Sequence, residues 1–221
     1  LHLSIRRQRQ MCIRDRFWGI ESNPDISTLK KAIESGKEKN IDFLLAVGGG
    51  SVIDGTKLIS AGIPYDGDAW ELVKKGSAQN TIPLGTVLTI PATGSEMNNG
   101  AVISCRETHE KYPFFSSHPV FSILDPTVTF SLPDYQIACG LADTFVHVME
   151  QYMTKTNESY LMDRWSESIL RTLVQIAPQI KENKQDYHLM SEFMISATMA
   201  LNGFIAVSYT HLRAHETVLD L

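Results

Sequence analysis

The segment IDFLLAVGGGSVIDGTKLISAG, residues 41–62, limits the possible folds of this chain more than any other stretch. A continuous apolar run ends in three successive glycines, and a helical pattern follows directly. An apolar run of this kind predicts a strand with no face open to water, as in parallel sheets covered by helices on both sides. The segment therefore predicts one strand-turn-helix unit of an α/β fold.

Two further segments continue this scheme. PLGTVLTIPATGSE (83–96) predicts a second strand followed by a turn, and PVFSILDP (119–126) predicts a third strand that ends at Asp125 and Pro126. An amphipathic helix is expected in STLKKAIESGKEKN (27–40). The pattern changes near residue 130, since residues 134–154, 158–180 and 186–206 carry apolar residues at spacings of three and four. We therefore expect an α/β domain over 17–130 and a helical domain over 131–206.

Composition excludes several classes of protein. The hydrophobic residues, 43% of the chain, never form an uninterrupted apolar run of about 18 residues, so no membrane-spanning helix is expected. The formal net charge of −5 argues against a nucleic-acid partner and favours small molecules. The three cysteines are widely spaced without a CxxC pair, which argues against a disulfide framework or a thiolate zinc site and favours the cytoplasm.

The two ends of the chain are interpreted as non-native. Residues 11–15, MCIRD, can be encoded by ATG TGT ATA AGA GAC, and the reverse complement of that DNA encodes VSYTH, which is residues 207–211. Such a pair is expected when one synthetic oligonucleotide is ligated to both ends of a DNA fragment, and the strings resemble translated sequencing-adapter sequence. We therefore expect residues 1–16 and 207–221 to be adapter-like tails, and the natural protein to be incomplete at both ends.

Two turns carry the pattern of a nucleotide site. In AVGGGSVIDGTK (46–57), glycines between a strand and a helix allow a ligand to approach the backbone, and free N–H groups at the helix start attract a phosphate. The GxGxxG spacing is absent, so a purely structural glycine turn is an equal alternative. TIPATGSE (89–96) adds the hydroxyls of Thr89, Thr93 and Ser95. Both turns are expected at the carboxyl ends of strands, where open α/β sheets bind ligands.

Two patterns suggest a metal. Asp143 and His147 are four residues apart and share one face of a predicted helix, although such a pair is more often a hydrogen-bonded surface pair. Glu150 is a further candidate, with a solvated carboxylate as the simpler alternative. HLRAHE places His211 and His215 at a zinc-chelating spacing, but as adapter sequence it is expected to hold no metal.

Four segments carry a family resemblance: AVGGGSVIDGTKLIS, TIPATGSEMNNGAVIS, SILDPTVTFSLPDYQIACGLADTFVHVMEQYMT and ATMALNGFIA. Together they resemble the iron-containing, group III alcohol dehydrogenases, most closely their butanol dehydrogenase and NADPH-dependent aldehyde reductase branch. The resemblance covers residues 17–206 in the same order. It implies an N-terminal α/β dinucleotide-binding domain, an all-α C-terminal domain and a divalent metal between them.

The resemblance also assigns residues. For the cofactor, NAD or NADP, it implies Gly49, Gly50 and Ser51 in the pyrophosphate loop, and Thr89, Thr93, Val102, Lys111 and Leu124 elsewhere in the site. Asp143 and His147 match the first two ligands of an iron or zinc ion. Two further histidines of the family come from later helices, so their positions are expected beyond Ala206. The strands that select NAD or NADP are expected to precede this chain.

The resemblance implies reversible reduction of an aldehyde to a primary alcohol by hydride transfer from a nicotinamide. A homodimer is expected for the parent protein. One alternative is that this polypeptide is a non-catalytic fragment with part of a nucleotide-binding module and half a metal site. A second alternative, a glycerol-dehydrogenase-like or dehydroquinate-synthase-like enzyme, is disfavoured by DPTVTFSLP and TGSEMN.

Overall fold

Three short parallel strands form the central sheet in a computed structural model of the chain, which describes residues 15–153 and 159–206. They are β1 (Leu44–Gly48), β2 (Leu84–Leu88) and β5 (Phe121–Ile123), in the order β1-β2-β5. Because all three run in the same direction, their carboxyl ends lie at one edge of the sheet. The sequence predicted all three strands.

Three helices belong to this α/β part: α1 (Ile26–Glu38), α2 (Gly50–Gly62) and α3 (Ala69–Lys74). Helix α1 begins where the side chain of Asp25 accepts a hydrogen bond from the N–H of Ser27, which caps the helix. Apolar side chains of the three helices pack into one core. Helix α2 thereby lies fixed between α1 and the sheet, with its first residues at the carboxyl edge.

An antiparallel hairpin that was not predicted from the sequence lies between β2 and β5 in the chain. It consists of β3 (Gly100–Cys105) and β4 (Glu110–Phe115). Alternate residues of β3 are buried, and Phe114 of β4 is fully buried in the core shared with α1 and α2. The hairpin therefore packs on α2 without joining the central sheet.

The expectation that β1 is covered on both faces is wrong for the described residues. Ala46 is buried, whereas Leu45 and Val47 are 53% and 58% exposed. Successive side chains of a strand point to opposite faces, and helix α2 covers only the face of Ala46. On the other face, Phe121 and Ile123 of β5 are also exposed, and the described residues place no element over them.

Three long helices make up the part after residue 130: α4 (Asp134–Tyr152), α5 (Tyr160–Glu182) and α6 (Tyr187–Leu201). All three were predicted from their apolar spacing. Their shared core is built from buried residues of each helix: Ile137, Leu173, Ile176, Ile180, Met190, Phe193 and Ala197. The combination of an α/β part and a helical part confirms the predicted fold class.

The helical part packs directly on the carboxyl edge of the sheet. Met194 of α6 is buried against Ala46 of β1, Ile53 of α2 and Leu88 of β2. This contact fixes α6 beside the turns that follow the strands. Among the helices in the described ranges, none is long and apolar enough to cross a membrane.

Candidate functional site

The glycine turn between β1 and α2 leaves the start of the helix open. Gly49 is the N-cap residue, in extended conformation (φ −84, ψ −172), and no side chain caps the helix there. Its carbonyl accepts hydrogen bonds from the N–H groups of Val52 and Ile53, while the N–H groups before them have no partner within the helix. Such a helix start, with its positive dipole end, is suited to an anionic group such as a phosphate.

The second turn lies directly beside the glycine turn. The N–H of Thr89, which follows β2, donates to the carbonyl of Gly48 at 3.0 Å. A Cβ placed on Gly50 would lie 2.5 Å from the Oγ1 atom of Thr93, so the side chain of Thr93 would have to move to make room for it. A glycine at position 50 therefore lets the two turns meet, and the structure brings together the residues that the sequence proposed for both loops.

The hairpin places Val102 and Lys111 on the same side of α2. The N–H of Val102 donates to Asp54 Oδ2 of α2 at 3.0 Å. The Nζ atom of Lys111 donates to Asn23 Oδ1 at 3.2 Å, and the N–H of Asn23 donates to Ser51 Oγ at 3.3 Å. Asn23 thus links the strand that carries Lys111 to the glycine turn.

Asn23 was not identified from the sequence. It has a positive φ of 53 and precedes Pro24, so the Asn-Pro pair signals a turn. The turn signal alone does not show that Asn23 meets Ser51, 28 residues further along the chain.

Leu124 contacts the apolar cluster at the carboxyl edge of the sheet. It follows β5 at the carboxyl edge and is partly buried against the cluster of Ala46, Ile53, Leu88 and Met194. The structure therefore places it in the floor beneath the two turns.

A buried ionic cluster, which was not predicted from the sequence, lies behind the second turn. The ammonium of Lys57 on α2 is fully buried, and Glu96 is 1% exposed. Ser95 Oγ donates to Asp54 Oδ1 at 2.6 Å and accepts from Lys57 Nζ at 2.9 Å. The i, i+3 spacing of Asp54 and Lys57 places both on one face of a helix, but only the fold shows that residues 95 and 96 lie against it.

Burial shifts the acidity of all three charged groups. It lowers the pKa of Lys57 to about 8, although Asp54 and Glu96 oppose the shift. Burial raises the pKa of Asp54, against the opposing effects of Lys57 and of the hydrogen bond from Ser95. Burial likewise raises the pKa of Glu96, against its hydrogen bond from Thr198. Desolvation dominates at each group, so the cluster is energetically costly and depends on its hydrogen bonds.

Helix α4 presents Asp143 and His147 as a partly exposed pair. Nε2 of His147 lies 3.5 Å from Oδ2 of Asp143, and Nδ1 of His147 lies 3.9 Å from Oε2 of Glu150. The carbonyl of His147 accepts a hydrogen bond from Nε2 of Gln151, which also donates to the carbonyl of Ala200 on α6. Asp143 and His147 therefore lie on one face of α4, as their i, i+4 spacing predicted.

The pair lies next to the second turn because α4 packs against that turn. A Cβ on Gly140 would lie 2.4 Å from the carbonyl oxygen of Pro91, and Oγ1 of Thr144 is 3.4 Å from the carbonyl oxygen of Ala92. Asp143 directly precedes Thr144 on the helix. The candidate metal ligands and the candidate cofactor loop are thus neighbours.

The described residues contain no group of three or more His, Cys, Asp or Glu side chains arranged to hold a metal ion. Asp143 and His147 are therefore two donors without a third among those residues. His211 and His215 lie outside the described ranges, as does most of the first adapter-like segment.

Comparison with known proteins identifies the class that this fold and site define. A model described as "Iron-containing alcohol dehydrogenase" matches residues 5–126, and one described as "Fe-containing alcohol dehydrogenase family, C-terminal" matches residues 137–218. The chain belongs to the iron-containing alcohol dehydrogenase family. Both matches extend into the segments interpreted as adapter-like, and that interpretation stays a prediction.

The chain is similar to curated members of the butanol dehydrogenase and aldehyde reductase branch. It is 48% identical over 192 residues to probable NADH-dependent butanol dehydrogenase 1 of Bacillus subtilis (strain 168), covering 86% of this chain and 50% of the relative. It is 45% identical over 211 residues to the NADPH-dependent aldehyde reductase YqhD of Escherichia coli (strain K12), covering 90% and 54%. The chain thus spans about half the length of these relatives.

Solved structures give the same picture of the fold. NADH-dependent butanol dehydrogenase A from Thermotoga maritima matches with a TM-score of 0.84 and 35% identity, covering 92% of this chain and 52% of that chain. A crystal structure of YqhD from Escherichia coli K-12 matches with a TM-score of 0.82 and 43% identity, covering 93% and 55%.

Proposed function

We propose that the protein to which this chain belongs interconverts primary alcohols and aldehydes by hydride transfer with NADH or NADPH, with the help of a divalent metal. The observation that carries the proposal is the placement of an open glycine turn, a hydroxyl-bearing turn and an Asp–His pair side by side at one edge of the sheet. The names of the similar proteins support an alcohol or aldehyde as the substrate and a nicotinamide as the cofactor.

The glycine turn fits the pyrophosphate of a dinucleotide. The start of α2 has no side-chain cap, so its first N–H groups are available to phosphate oxygens. Gly49 and Gly50 keep side chains out of the turn, and the hydroxyls of Ser51 and Thr93 supply further donors. Lys111 and Asn23 lie beside Ser51. The ammonium of Lys111 and the side-chain amide of Asn23 would be available there to hydrogen-bond a ribose or an amide of the cofactor.

The Asp143–His147 pair fits a divalent metal. One carboxylate and one imidazole on a single helix face are ordinary donors for iron or zinc. A divalent ion bound there supplies Lewis-acid polarisation of the aldehyde oxygen. The residues of this chain would hold the ion through Asp143 and His147 and orient the cofactor through the two turns, so that the two reactants meet at the carboxyl edge.

The proposal has a binding test and an activity test. NADH and NADPH titrations of this chain, followed by nicotinamide fluorescence, should show saturable binding of at least one of the two. In a protein of the relatives' length that contains this chain, butanal should be reduced at the expense of nicotinamide absorbance. His147→Ala should abolish turnover, whereas Tyr187→Ala, an exposed change at the start of α6, should leave it unchanged. Full butanal reduction by the His147→Ala protein would overturn the metal-dependent mechanism.

A second candidate applies to the 221-residue polypeptide on its own: a nucleotide-binding module without catalysis. The observation that favours it is the absence, among the described residues, of a third metal donor near Asp143 and His147. We expect this polypeptide to bind nicotinamide cofactor but not to reduce butanal. Measurable butanal reduction by the purified chain would rule the module out.

We further propose a cytoplasmic location and a homodimer for the parent protein. The free thiols of Cys105 and Cys139 are compatible with a reducing compartment. Sedimentation of a protein of the relatives' length would test the dimer.

A further inference from the structure

The ammonium of Lys57 is bound by four oxygens from one short stretch of chain. Its Nζ atom lies 2.7 Å from the carbonyl of Ser95, 2.9 Å from Ser95 Oγ, 3.0 Å from Asn98 Oδ1 and 2.6 Å from the carbonyl of Gly100. We call residues 95–100 the clamped turn. Every hydrogen bond that the structure gives to this ammonium goes to the clamped turn.

The clamped turn is tied to α2 at a second point. Asp54, one helical turn before Lys57, accepts the hydroxyl of Ser95 at 2.6 Å and the N–H of Val102 at 3.0 Å. The two charged residues of α2 therefore hold the clamped turn near its beginning and just beyond its end. The residue before it, Gly94, has a positive φ of 59, and Thr93 comes directly before Gly94.

Helix α6 holds the clamped turn from the opposite side. Thr198 donates to Glu96 Oε1 at 2.5 Å, and Nδ2 of Asn98 donates to the carbonyl of Leu201 at 3.1 Å. A Cβ on Gly94 would lie 3.2 Å from the carbonyl oxygens of Ala197 and Thr198, so the backbone there already touches α6. The clamped turn is thus wedged between the helix of the glycine turn and the helical part.

Simple stability does not account for a buried ammonium at this place. Buried ionic groups can often be replaced by apolar residues of similar size with little loss of stability, because desolvation offsets most of the attraction. The ammonium instead fixes the conformation of the clamped turn, because several oxygens of the turn bind the same nitrogen atom.

We propose that Lys57 is a positioning residue for the cofactor site, which holds the clamped turn between α2 and α6 and so keeps Thr93 beside Gly50. The inference rests on the proposed function, because it takes the space between the two turns to be the place of the dinucleotide. Lys57 itself does not reach that space. It acts through Ser95, Asn98 and Gly100.

The test compares Lys57→Met with a matched control on the same helix. Methionine keeps the length of the side chain and removes the charge and the N–H donors. Leu58→Ala, at the neighbouring fully buried position, opens a cavity in the core shared by α1, α2 and the hairpin but removes no hydrogen bond of the clamped turn. The two readouts are hydrogen exchange of the amides in 95–102 and the Kd for NADPH, or for NADH if that cofactor binds better.

For Lys57→Met we expect exchange in 95–102 to accelerate and the Kd to rise, each by about tenfold or more, the usual effect of losing hydrogen bonds to a charged donor. Leu58→Ala should lower the midpoint of unfolding at least as much but change neither readout. Unchanged exchange in 95–102 with unchanged Kd in a folded Lys57→Met protein overturns the proposal. So does an equal response in Leu58→Ala, since Lys57 would then be an ordinary core residue.

A milder variant covers the case in which Lys57→Met does not fold. Ser95→Ala keeps the ammonium but removes one of its acceptors and the link to Asp54. It should accelerate exchange in 95–102 by a few-fold, and no acceleration there overturns the proposal. Absence of NADH and NADPH binding by the unsubstituted chain would count against the proposed function, whereas the exchange readout would still decide the role of Lys57.

Discussion

Gly50 shows how a single missing side chain permits a binding site. The turn after β1 and the turn after β2 approach each other so closely that a Cβ at this position would strike Thr93 Oγ1 at 2.5 Å. Gly50 is the first residue of α2, where alanine is a better helix former than glycine. Helix stability therefore favours alanine at this position, whereas the close approach of the two turns favours glycine.

This conflict leads to a prediction for Gly50→Ala. We expect the variant to unfold at a similar or higher temperature, while its Kd for nicotinamide cofactor rises at least about tenfold because Thr93 is pushed out of place. Ser35→Ala on α1 is the matched control, since it also raises helix propensity but lies in neither turn. Cofactor titration and thermal unfolding of both variants measure the two effects. Unchanged affinity in Gly50→Ala would show that the contact between the turns is not needed for binding.

A second prediction concerns the pH dependence of the free energy of unfolding at Lys57. Its pKa is about 8 in the folded chain against 10.5 for an unperturbed lysine. Between these values the unfolded state binds more protons, so the contribution of Lys57 to stability rises with pH. Relative to Lys57→Met, the native chain should therefore gain about 2 kcal/mol between pH 8 and pH 10.

Chemical unfolding of both proteins at several pH values measures this difference. The buried carboxyls of Asp54 and Glu96 have raised pKa values, and loss of the ammonium raises them further. Their ionisation with rising pH would destabilise the variant, which acts in the same direction. A difference that stays constant from pH 7 to pH 10 would mean that Lys57 does not change its charge in this window.

At the scale of the element, helix α4 combines packing and ligation on adjacent faces. Gly140 and Thr144 press against the second turn, and Asp143 and His147 follow on the neighbouring, partly exposed face. Two donors on one helix form a weak metal site by themselves, because a catalytic divalent ion normally has at least three protein ligands.

We predict that this chain binds Zn²⁺ or Fe²⁺ weakly and through the Asp–His pair. His147→Ala and Asp143→Ala should each reduce the metal affinity by about tenfold or more, because even the loss of an outer-shell partner typically costs about 10–100-fold. Glu192→Gln on α6, which changes an exposed carboxylate outside the pair, serves as the control. Calorimetric titration with each metal is the measurement. Equal affinity in all three variants would place the metal elsewhere.

The elements differ in how well the sequence predicted them, for physical reasons. Helices α4, α5 and α6 were predicted because each repeats its apolar spacing over at least 15 residues. The hairpin of β3 and β4 was not predicted because its strands have only six residues each and its turn, RETH (106–109), lacks a strong hairpin signal.

In the candidate site, too, only the features that are local in the sequence were predicted. The glycine turn and the pair on α4 are local patterns, so the sequence indicated them. The contacts of Lys57 with Ser95 span 38 residues and those of Glu96 with Thr198 span 102, and no local pattern encodes such distances.

The open face of the central sheet exposes a contiguous apolar surface among the described residues. Leu45 and Val47 of β1 lie on this face with Phe121 and Ile123 of β5. The ring of Phe43, just before β1, stacks on that of Phe121 at 6.1 Å. Contiguous apolar surface of this kind drives association in water.

We therefore predict that the purified chain self-associates as its concentration rises. Val47→Thr should shift the association to higher concentration, because threonine keeps the β-branched shape and reduces the apolar area. Val174→Thr on α5, at a residue 65% exposed, is the matched control and should have no effect. Sedimentation velocity over a concentration series gives the result. A chain that stays monomeric throughout would contradict the prediction.

The last prediction concerns the C-terminal segment. If residues 207–221 are adapter-derived, their removal should leave the affinities for cofactor and metal unchanged, even though they contain His211 and His215. Titrations of the chain with and without this segment decide the matter. A loss of metal affinity on removal would show that these histidines take part in the site.

The clamped turn is held by both α2 and α6, and this determines when the nucleotide site can be completed during folding. The turn takes one set of contacts from α2, which precedes it in the chain, and another from Thr198 and Leu201, which follow it by about a hundred residues. Closing so long a loop is entropically costly, and on the ribosome α6 emerges last among the described helices. The sheet and α2 can therefore form early in synthesis, whereas the second half of the cofactor pocket is completed only when α6 docks.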